Sequence, residues 1–251
     1  MLDFSYLCGI IMDIKTRAIV LRTVKYGESH MIVDMLTQVR GRVSFVCNLS
    51  KSNRGKMKKQ LFQPLTILDI IYDERPTMEL QRLRDIRIAR PFTSIPFDPF
   101  KLSICLFIAE FLTFATRGEH DNQPLEAFVE SSLAWLDSAD SNFANFHLVF
   151  MIHVTLFVGF YPNLEDWHEG SWFDLREGSF TLQCPLHPDY LSPAEAARLR
   201  LLMRMNFDNM RLFRMSHDER NICTTVILKY YRLHVPGFPE LRSLEVLREL
   251  F

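Results

Sequence analysis

The densest group of side chains able to do chemistry is a run of basic residues between Asn48 and Leu65. Its sequence, NLSKSNRGKMKKQLFQPL, has no acidic residue, and its cations are Lys51, Arg54, Lys56, Lys58 and Lys59. A solvated loop needs only one or two charges to stay soluble, so an unbalanced cluster favours an anionic partner. The alternative is a solvated loop that contacts nothing specific.

The charge of the chain is distributed unevenly along the sequence. Residues 13–60 contain eleven basic and three acidic residues, a local charge of +8, whereas residues 91–180 contain three basic and thirteen acidic residues, a local charge of −10. The formal net charge of −1 conceals this difference. Such asymmetry indicates that the N-terminal part meets a polyanion.

Sequence motifs for catalysis are missing, so we predict that the protein is not an enzyme. No G-x-S-x-G, H-E-x-x-H or P-loop pattern organises the histidines. His147 and His153 are six positions apart, which places them on different faces of a helix, and we interpret them as core or boundary residues. Glu165, Asp166 and Glu169 beside His168 are interpreted as a solvated loop rather than a metal site.

The first eighty to ninety residues must position the basic run, and their pattern is β-rich. Five short strands separated by turns predict a small closed barrel, and the basic run lies in the loop between the third and fourth strands. The strand segments are RAIVLRTVKYGES, HMIVDMLTQVRG, RVSFVCNLS, PLTILDIIYDE and MELQRLRDIRIAR.

The rest of the chain changes to helical periodicity, beginning with the Asp98-Pro99 N-cap pair. Residues 162–191 are rich in glycine and proline and predict an irregular insertion with a short hairpin. Further helices are predicted near Pro124–Leu136 and Phe143–Phe160, after the capping boxes Ser192-Pro-Ala-Glu195 and Ser216-His-Asp-Glu219, and at the C-terminus, where Leu241, Leu244, Val246 and Leu247 are expected to dock on the core.

We predict a soluble, cytoplasmic protein. The five cysteines are odd in number and lack C-x-x-C spacing, which argues against a disulfide framework. The apolar runs Phe100–Ala115 and His147–Phe160 are shorter than the ~20 residues that span a bilayer. The opening MLDFSYLCGII does not fit a signal peptide, and residues 1–11 are interpreted as an N-terminal extension.

Several segments together resemble the RecO family of bacterial recombination mediators. The opening KTRAIVLRTVKYGESHMIVDMLTQVRG, the segment LFQPLTILDI, the motif GFYPNL and the C-terminal FPELRSLEVLREL are similar to family patterns and follow the same order. The resemblance implies an α+β multidomain fold: a five-stranded OB-fold barrel over residues 12–90, then an α-helical domain over residues 91–251 that contains the insertion.

The resemblance implies a nucleoid-associated mediator of DNA repair and homologous recombination without a cofactor. Its expected activities are binding of single- and double-stranded DNA, annealing of complementary strands, and loading of RecA, with RecR, onto single strands covered by single-stranded-DNA-binding protein. Many family members carry four cysteines for structural zinc in the insertion. Here only Cys184 and His187, with His168 at best, remain, so we predict no bound metal and an apolar cluster of Trp167, Trp172 and Phe173.

Barrels of this kind bind single strands with cations on the phosphates and aromatic rings on the bases. We therefore assign phosphate contacts to the five loop cations together with Arg40 and Arg42, which lie at the neighbouring turn. Tyr26 or Phe45 could stack on a base, although Phe45 alternates with Val43 as a core residue would. If about five phosphates of a single strand are neutralised, log affinity should fall with log salt at a slope of about −3.5.

The helical domain is predicted to bind a partner peptide. The resemblance implies the acidic, phenylalanine-ended C-terminal tail of single-stranded-DNA-binding protein, and apolar anchors with a basic rim would receive it. The rim candidates are Arg198, Arg200, Arg204, Arg211 and Arg214, with a solvated helix face as the alternative. Two rival functions stay open: an adaptor whose basic barrel binds an acidic protein, and a hydrolase or metal enzyme that uses the region of Cys184 and His187.

Overall fold

The computed structural model describes residues 12–48, 60–118 and 122–251. The described residues form two compact units. The first comprises the described residues of Met1–Thr93 and Ala109–Ser131, and the second comprises Ser94–Ile108 with Ser132–Phe251. None of the described helices has the length and apolarity needed to cross a membrane.

Five strands of the first unit close into a barrel in the order β1-β2-β3-β5-β4. β1 is long enough to pair with β2 through its C-terminal half and with β4 through its N-terminal half. β3 and β5 run parallel, whereas the other neighbours are antiparallel. The predicted five-stranded OB-fold barrel is confirmed. Its strands are β1 (Met12–Tyr26), β2 (His30–Thr37), β3 (Gly41–Asn48), β4 (Ile67–Glu74) and β5 (Leu80–Arg90).

Alternating side chains of the strands fill the barrel. Phe45 of β3 is fully buried and meets Tyr72 of β4 edge-on, with ring centroids 5.1 Å apart. Phe62, which precedes β4, packs into the same cluster. Burial of one such side chain stabilises the fold by about 1.5–3 kcal/mol. The core interpretation of Phe45 is confirmed, and the suggestion that its ring stacks on a base is wrong because the ring lies inside the barrel.

Three of the helices begin where the sequence predicts N-caps. Asp98 Oδ1 accepts hydrogen bonds from the N–H groups of Phe100 and Lys101, and both serine capping boxes are present. These contacts satisfy N–H groups that lack a partner within the helix. The helices are α1 (Pro99–Ala115), α2 (Gln123–Ser138), α3 (Phe146–Phe157), α4 (Pro193–Leu202), α5 (His217–His234) and α6 (Ser243–Leu250).

The C-terminal helix α6 packs mainly through leucine. Leu244 and Leu247 are buried, as is Leu241 just before the helix. The expectation that Val246 also docks is wrong, since half of its surface is exposed. Two positions beyond Leu244 correspond to about 200° of helical rotation, which turns Val246 to the opposite face.

The insertion is a small three-stranded sheet of β6 (Trp172–Asp174), β7 (Ser179–Thr181) and β8 (Tyr190–Leu191), in the order β7-β6-β8. Phe173 is buried against Phe180, and Trp172 packs edge-on against Tyr190. For Trp167, which was predicted to form an apolar cluster with Trp172 and Phe173, the ring contact that the structure shows is with a cation. The Arg200 guanidinium lies 4.1 Å from the centroid of its ring, and a cation over an indole face stabilises an exposed pair in this way.

Candidate nucleic-acid interface

The five loop cations of the predicted DNA-binding segment lie outside the described residues. Lys51, Arg54, Lys56, Lys58 and Lys59 therefore stay a prediction. The structure describes the two ends of their segment. Asn48 at the end of β3 pairs with His30 of β2, and Phe62 packs in the barrel core, so both ends are anchored to the barrel.

Arg40 and Arg42, the two other predicted phosphate ligands, both lie in ion pairs. Arg40 donates two hydrogen bonds to Glu74, at 2.7 and 2.9 Å, which is the bidentate geometry that guanidinium and carboxylate favour. Arg42 donates to Asp34 Oδ2 at 2.9 Å and to the carbonyl oxygen of Thr113 at 2.6 Å. A phosphate at either position would compete with these contacts, and the assignment stays a prediction.

Asp34 explains why the chain needs an arginine at position 42. Its carboxylate is almost fully buried on β2 and accepts hydrogen bonds from Ser44, Arg22 and Arg42. Burial by itself raises the pKa of Asp34, but the hydrogen bonds from these three partners outweigh it and hold the pKa below its usual range. Removal of Arg42 would leave a buried charge with fewer partners.

A second basic group of the barrel lies on β5 and consists of Arg82, Arg84, Arg87 and Arg90. Arg84 pairs with Asp73 at 3.1 Å, and Arg87 pairs with Asp69 at 3.2 Å. Arg82 and Arg90 are exposed and form no ion pair with any described residue. These four arginines are visible in the segment QRLRDIRIAR, which we interpreted only as a strand.

A cleft opens in the barrel wall where β3 and β5 separate. Their parallel ladder ends at the pair Val46–Arg82. The space beyond it measures about 320 Å³. We call it the β3–β5 cleft; its polar lining is His30, Asn48, Arg82, Arg84 and Asp85, and its apolar lining includes Phe62 and Ile86.

Tyr26, the other aromatic candidate for base stacking, lies at the C-terminal end of β1. Its side chain is 54% exposed, so the ring is accessible to a base. Its role stays a prediction.

The second unit contains an apolar pocket between α4 and α5. We call it the α4–α5 pocket; it measures about 330 Å³ and its apolar lining includes Leu199, Leu202, Phe213, Met215, Ile222 and Ile227. Of the five predicted rim arginines, Arg198 and Arg214 line this pocket. Arg200 stacks on Trp167 instead, and neither Arg204 nor Arg211 lines it. The pocket is formed by residues from three separate segments, which sequence reasoning could not bring together.

The α4–α5 pocket lining carries two arginines and two glutamates, so its formal charges balance. Glu195 and Glu219 also line it, but each carboxylate accepts a hydrogen bond from the backbone N–H of its capping serine, at 2.9 and 2.8 Å. Hydrogen bonds from Ser192 and Ser216 lower the pKa of the respective glutamates. The charge of Arg198 also contributes to the lowered pKa of both glutamates, although no described carboxylate lies within ion-pair distance of Arg198 or Arg214. The pocket is therefore an apolar surface edged by two guanidiniums and two carboxylates that cap helices.

The proposed remnant of a metal site is dispersed. Cys184 is exposed, the His187 Nε2 lies 3.1 Å from Asp174 Oδ2, and His168 Nδ1 lies 3.1 Å from the carbonyl oxygen of Asp166. Across residues 12–48, 60–118 and 122–251, no group of three or more His, Cys, Asp or Glu side chains could hold a metal ion.

Comparisons with known proteins cover both units. A family model described as "Recombination protein O N terminal" matches residues 12–92, and one described as "Recombination protein O C terminal" matches residues 96–245. The chain is 48% identical to the DNA repair protein RecO of Bacteroides fragilis over 94% of this chain and 98% of the relative. It is 47% identical to that of Phocaeicola vulgatus, with the same coverage, and 37% identical to that of Flavobacterium psychrophilum over 96% of this chain and all of the relative. The chain belongs to the RecO family.

Proposed function

We propose that this chain is a non-enzymatic mediator of DNA repair and homologous recombination. It binds single- and double-stranded DNA irrespective of sequence and anneals complementary strands. With RecR, it helps load RecA onto single strands covered by single-stranded-DNA-binding protein. The observation that carries the proposal is a closed OB-fold barrel, in a chain of the RecO family, with an acid-free basic segment between its third and fourth strands.

The barrel supports binding to DNA through phosphates. Contacts from lysine and arginine to phosphate carry little sequence information, because phosphates are the same at every base. Neutralisation of phosphates on two strands at once also lowers their mutual repulsion, which favours annealing. Both activities follow from the same basic segment and need no catalytic residue.

A charge-reversal experiment tests the DNA-binding part. We expect Lys56→Glu, Lys58→Glu and Lys59→Glu together to weaken binding to a fluorescent single-stranded oligonucleotide by at least 100-fold, measured by anisotropy at 0.1 M salt. The same triple variant should slow annealing of complementary strands, followed by energy transfer between two dyes. Each lost phosphate contact contributes about 0.7 to log affinity at this salt concentration, and the reversed charges add repulsion.

A matched control separates local contact from net charge. Arg204→Glu, Arg211→Glu and Arg232→Glu change the net charge by the same amount at exposed positions of the second unit. This control should bind the oligonucleotide within about threefold of the unmodified chain. Equal weakening in both triple variants would refute a contact at the basic segment, and an unmodified chain that binds an acidic protein but no DNA would establish the adaptor function instead.

The α4–α5 pocket supports a second element of the proposal, the tail of single-stranded-DNA-binding protein. An apolar pocket edged by Arg198 and Arg214 suits a peptide that ends in phenylalanine and carries carboxylates, because the ring fills the apolar part and the acids meet the two guanidiniums. Leu201 and Ile222 beside it are more than half exposed, which leaves apolar surface for the peptide to cover.

Arginine reversal tests the pocket directly. Arg198→Glu or Arg214→Glu should weaken binding of a labelled acidic tail peptide by about tenfold or more, because each introduces a carboxylate opposite the peptide acids. Arg211→Glu, an exposed arginine outside the pocket, is the control and should leave the affinity unchanged. If Arg198→Glu and Arg214→Glu bound the peptide as tightly as the Arg211→Glu control, the peptide would bind outside the α4–α5 pocket.

A further inference from the structure

We infer that the β3–β5 cleft holds one unpaired nucleotide of a single strand, with its phosphate at Arg82. The inference rests on the proposed DNA binding and adds a specific site on the barrel for a DNA single strand. It concerns described residues only.

The backbone geometry opens the cleft, and Arg82 and Arg84 line it. β3 and β5 pair only from Ser44 to Val46, and β5 then continues beside β4. The register between β4 and β5 shifts where Tyr72 faces Leu83 and Ile71 faces Asp85, so Arg84 is an extra residue in a β-bulge. Bulges redirect side chains and occur often beside functional sites.

The charges of the cleft suit a single phosphate. Arg84 lies near Asp73 and Asp13, at 3.1 and 3.6 Å, so its charge is largely balanced. Arg82 has no acidic partner within ion-pair distance among the described residues, and Asp85 is the one acidic residue of the described lining. Arg82 therefore remains available to an anion, which a planar guanidinium can bind through two parallel hydrogen bonds.

The size and lining of the cleft favour an unpaired base over a duplex. Its volume of about 320 Å³ is at the lower end of the range for small-ligand pockets, so it can take one nucleotide. His30 and Asn48 offer polar groups to a base edge, and Phe62 and Ile86 form apolar walls. A base inside a duplex would first have to leave its stack, at a cost of a few kcal/mol.

The test compares Arg82→Ala with Arg90→Ala, an exposed arginine of the same strand outside the cleft lining. Anisotropy is measured on a labelled single strand and on a duplex of the same sequence at 0.1 M salt. Arg82→Ala should weaken binding to the single strand about fivefold, the contribution of one phosphate contact, and weaken binding to the duplex less than twofold. Arg90→Ala should change either affinity less than twofold.

A second substitution, which removes a negative charge from the cleft, should have the opposite effect on affinity. Asp85→Asn removes the carboxylate from the cleft and should tighten binding to the single strand by about twofold or more, because repulsion of the phosphate is lost. The inference is overturned if the unmodified chain binds DNA and Arg82→Ala behaves like Arg90→Ala, or if Arg82→Ala weakens single strand and duplex equally. Absence of binding by the unmodified chain would instead overturn the proposed function on which the inference rests.

Discussion

Glu126 and His147 are buried ionisable residues that affect stability in opposite directions as the pH changes. Burial, and then the neighbouring charge of Glu130, raise the pKa of Glu126 to about 7, although Arg17 opposes the shift. Burial, and then the charge of Arg220, lower the pKa of His147 to about 3. Each residue therefore favours its neutral form in the folded protein.

Replacement of Glu126 by glutamine should stabilise the protein at alkaline pH. Glu126 keeps its proton in the fold, so its contribution is complete below the unfolded pKa and is lost as the pH rises through about 7. Glu126→Gln removes this loss, and we expect about 1–2 kcal/mol of added stability at pH 8, discounted for solvent near the carboxyl group, and little at pH 5. Urea unfolding at both pH values measures it.

Glu130→Gln is the matched control for this prediction. Glu130 lies one helical turn further along α2, where both of its carboxylate oxygens accept from Arg17 Nη1 at 2.9 Å. This variant removes an ion pair and should destabilise the protein at pH 8. If Glu126→Gln destabilised the protein equally at pH 8, the raised pKa of Glu126 would be contradicted.

His147 should make the protein sensitive to acid. The unfolded chain binds a proton at this residue below pH 6.5, whereas the folded protein does not until about pH 3, so stability is lost as the pH falls between these values. We expect His147→Gln to lose less stability than the unmodified chain between pH 7 and pH 4, by on the order of 2 kcal/mol. An identical pH dependence in both proteins would contradict the assignment of a buried neutral imidazole.

At the scale of elements, local patterns predicted most of what the structure shows. The five strands, the Asp98 cap and the two capping boxes are confirmed because each depends on residues near in sequence. The parallel pairing of β3 with β5 and the third strand of the insertion depend on distant segments, and local periodicity does not encode them. The α4–α5 pocket and the β3–β5 cleft are also formed by residues distant in sequence, so local patterns did not predict them.

Gly178 of the insertion packs closely against Tyr230 of α5. Its φ is +65°, and a Cβ there would lie 2.5 Å from the hydroxyl oxygen of Tyr230, which donates a hydrogen bond to the carbonyl oxygen of Phe160. We expect Gly178→Ala to destabilise the protein by about 2–4 kcal/mol, from backbone strain and a steric clash together. Thermal unfolding measures the change.

Gly170→Ala isolates the strain from the clash. Gly170 also has a positive φ, of +85°, but a Cβ there would meet nothing within 4 Å. This variant should cost only about 1 kcal/mol. If the two variants were equally stable, the close contact with Tyr230 would not be a constraint in solution.

At the scale of the whole molecule, the charge distribution is the feature that the sequence revealed most directly. Residues 13–60 carry +8 and residues 91–180 carry −10. The fold nevertheless shows that cations counted in sequence are not equivalent, because Arg40 and Arg42 lie in ion pairs whereas Arg82, which was not predicted as a site residue, does not. A count of charges therefore predicts that an anion binds, but not which side chains hold it.

The salt dependence of single-strand binding tests the central claim most directly. Anisotropy of a labelled oligonucleotide is measured with the unmodified chain between 0.05 and 0.5 M salt. Five loop cations on phosphates predict a plot of log affinity against log salt with a slope of about −3.5, and a contact at Arg82 would make it about 0.7 steeper. A slope near zero, or no binding at the lowest salt concentration, would contradict the account.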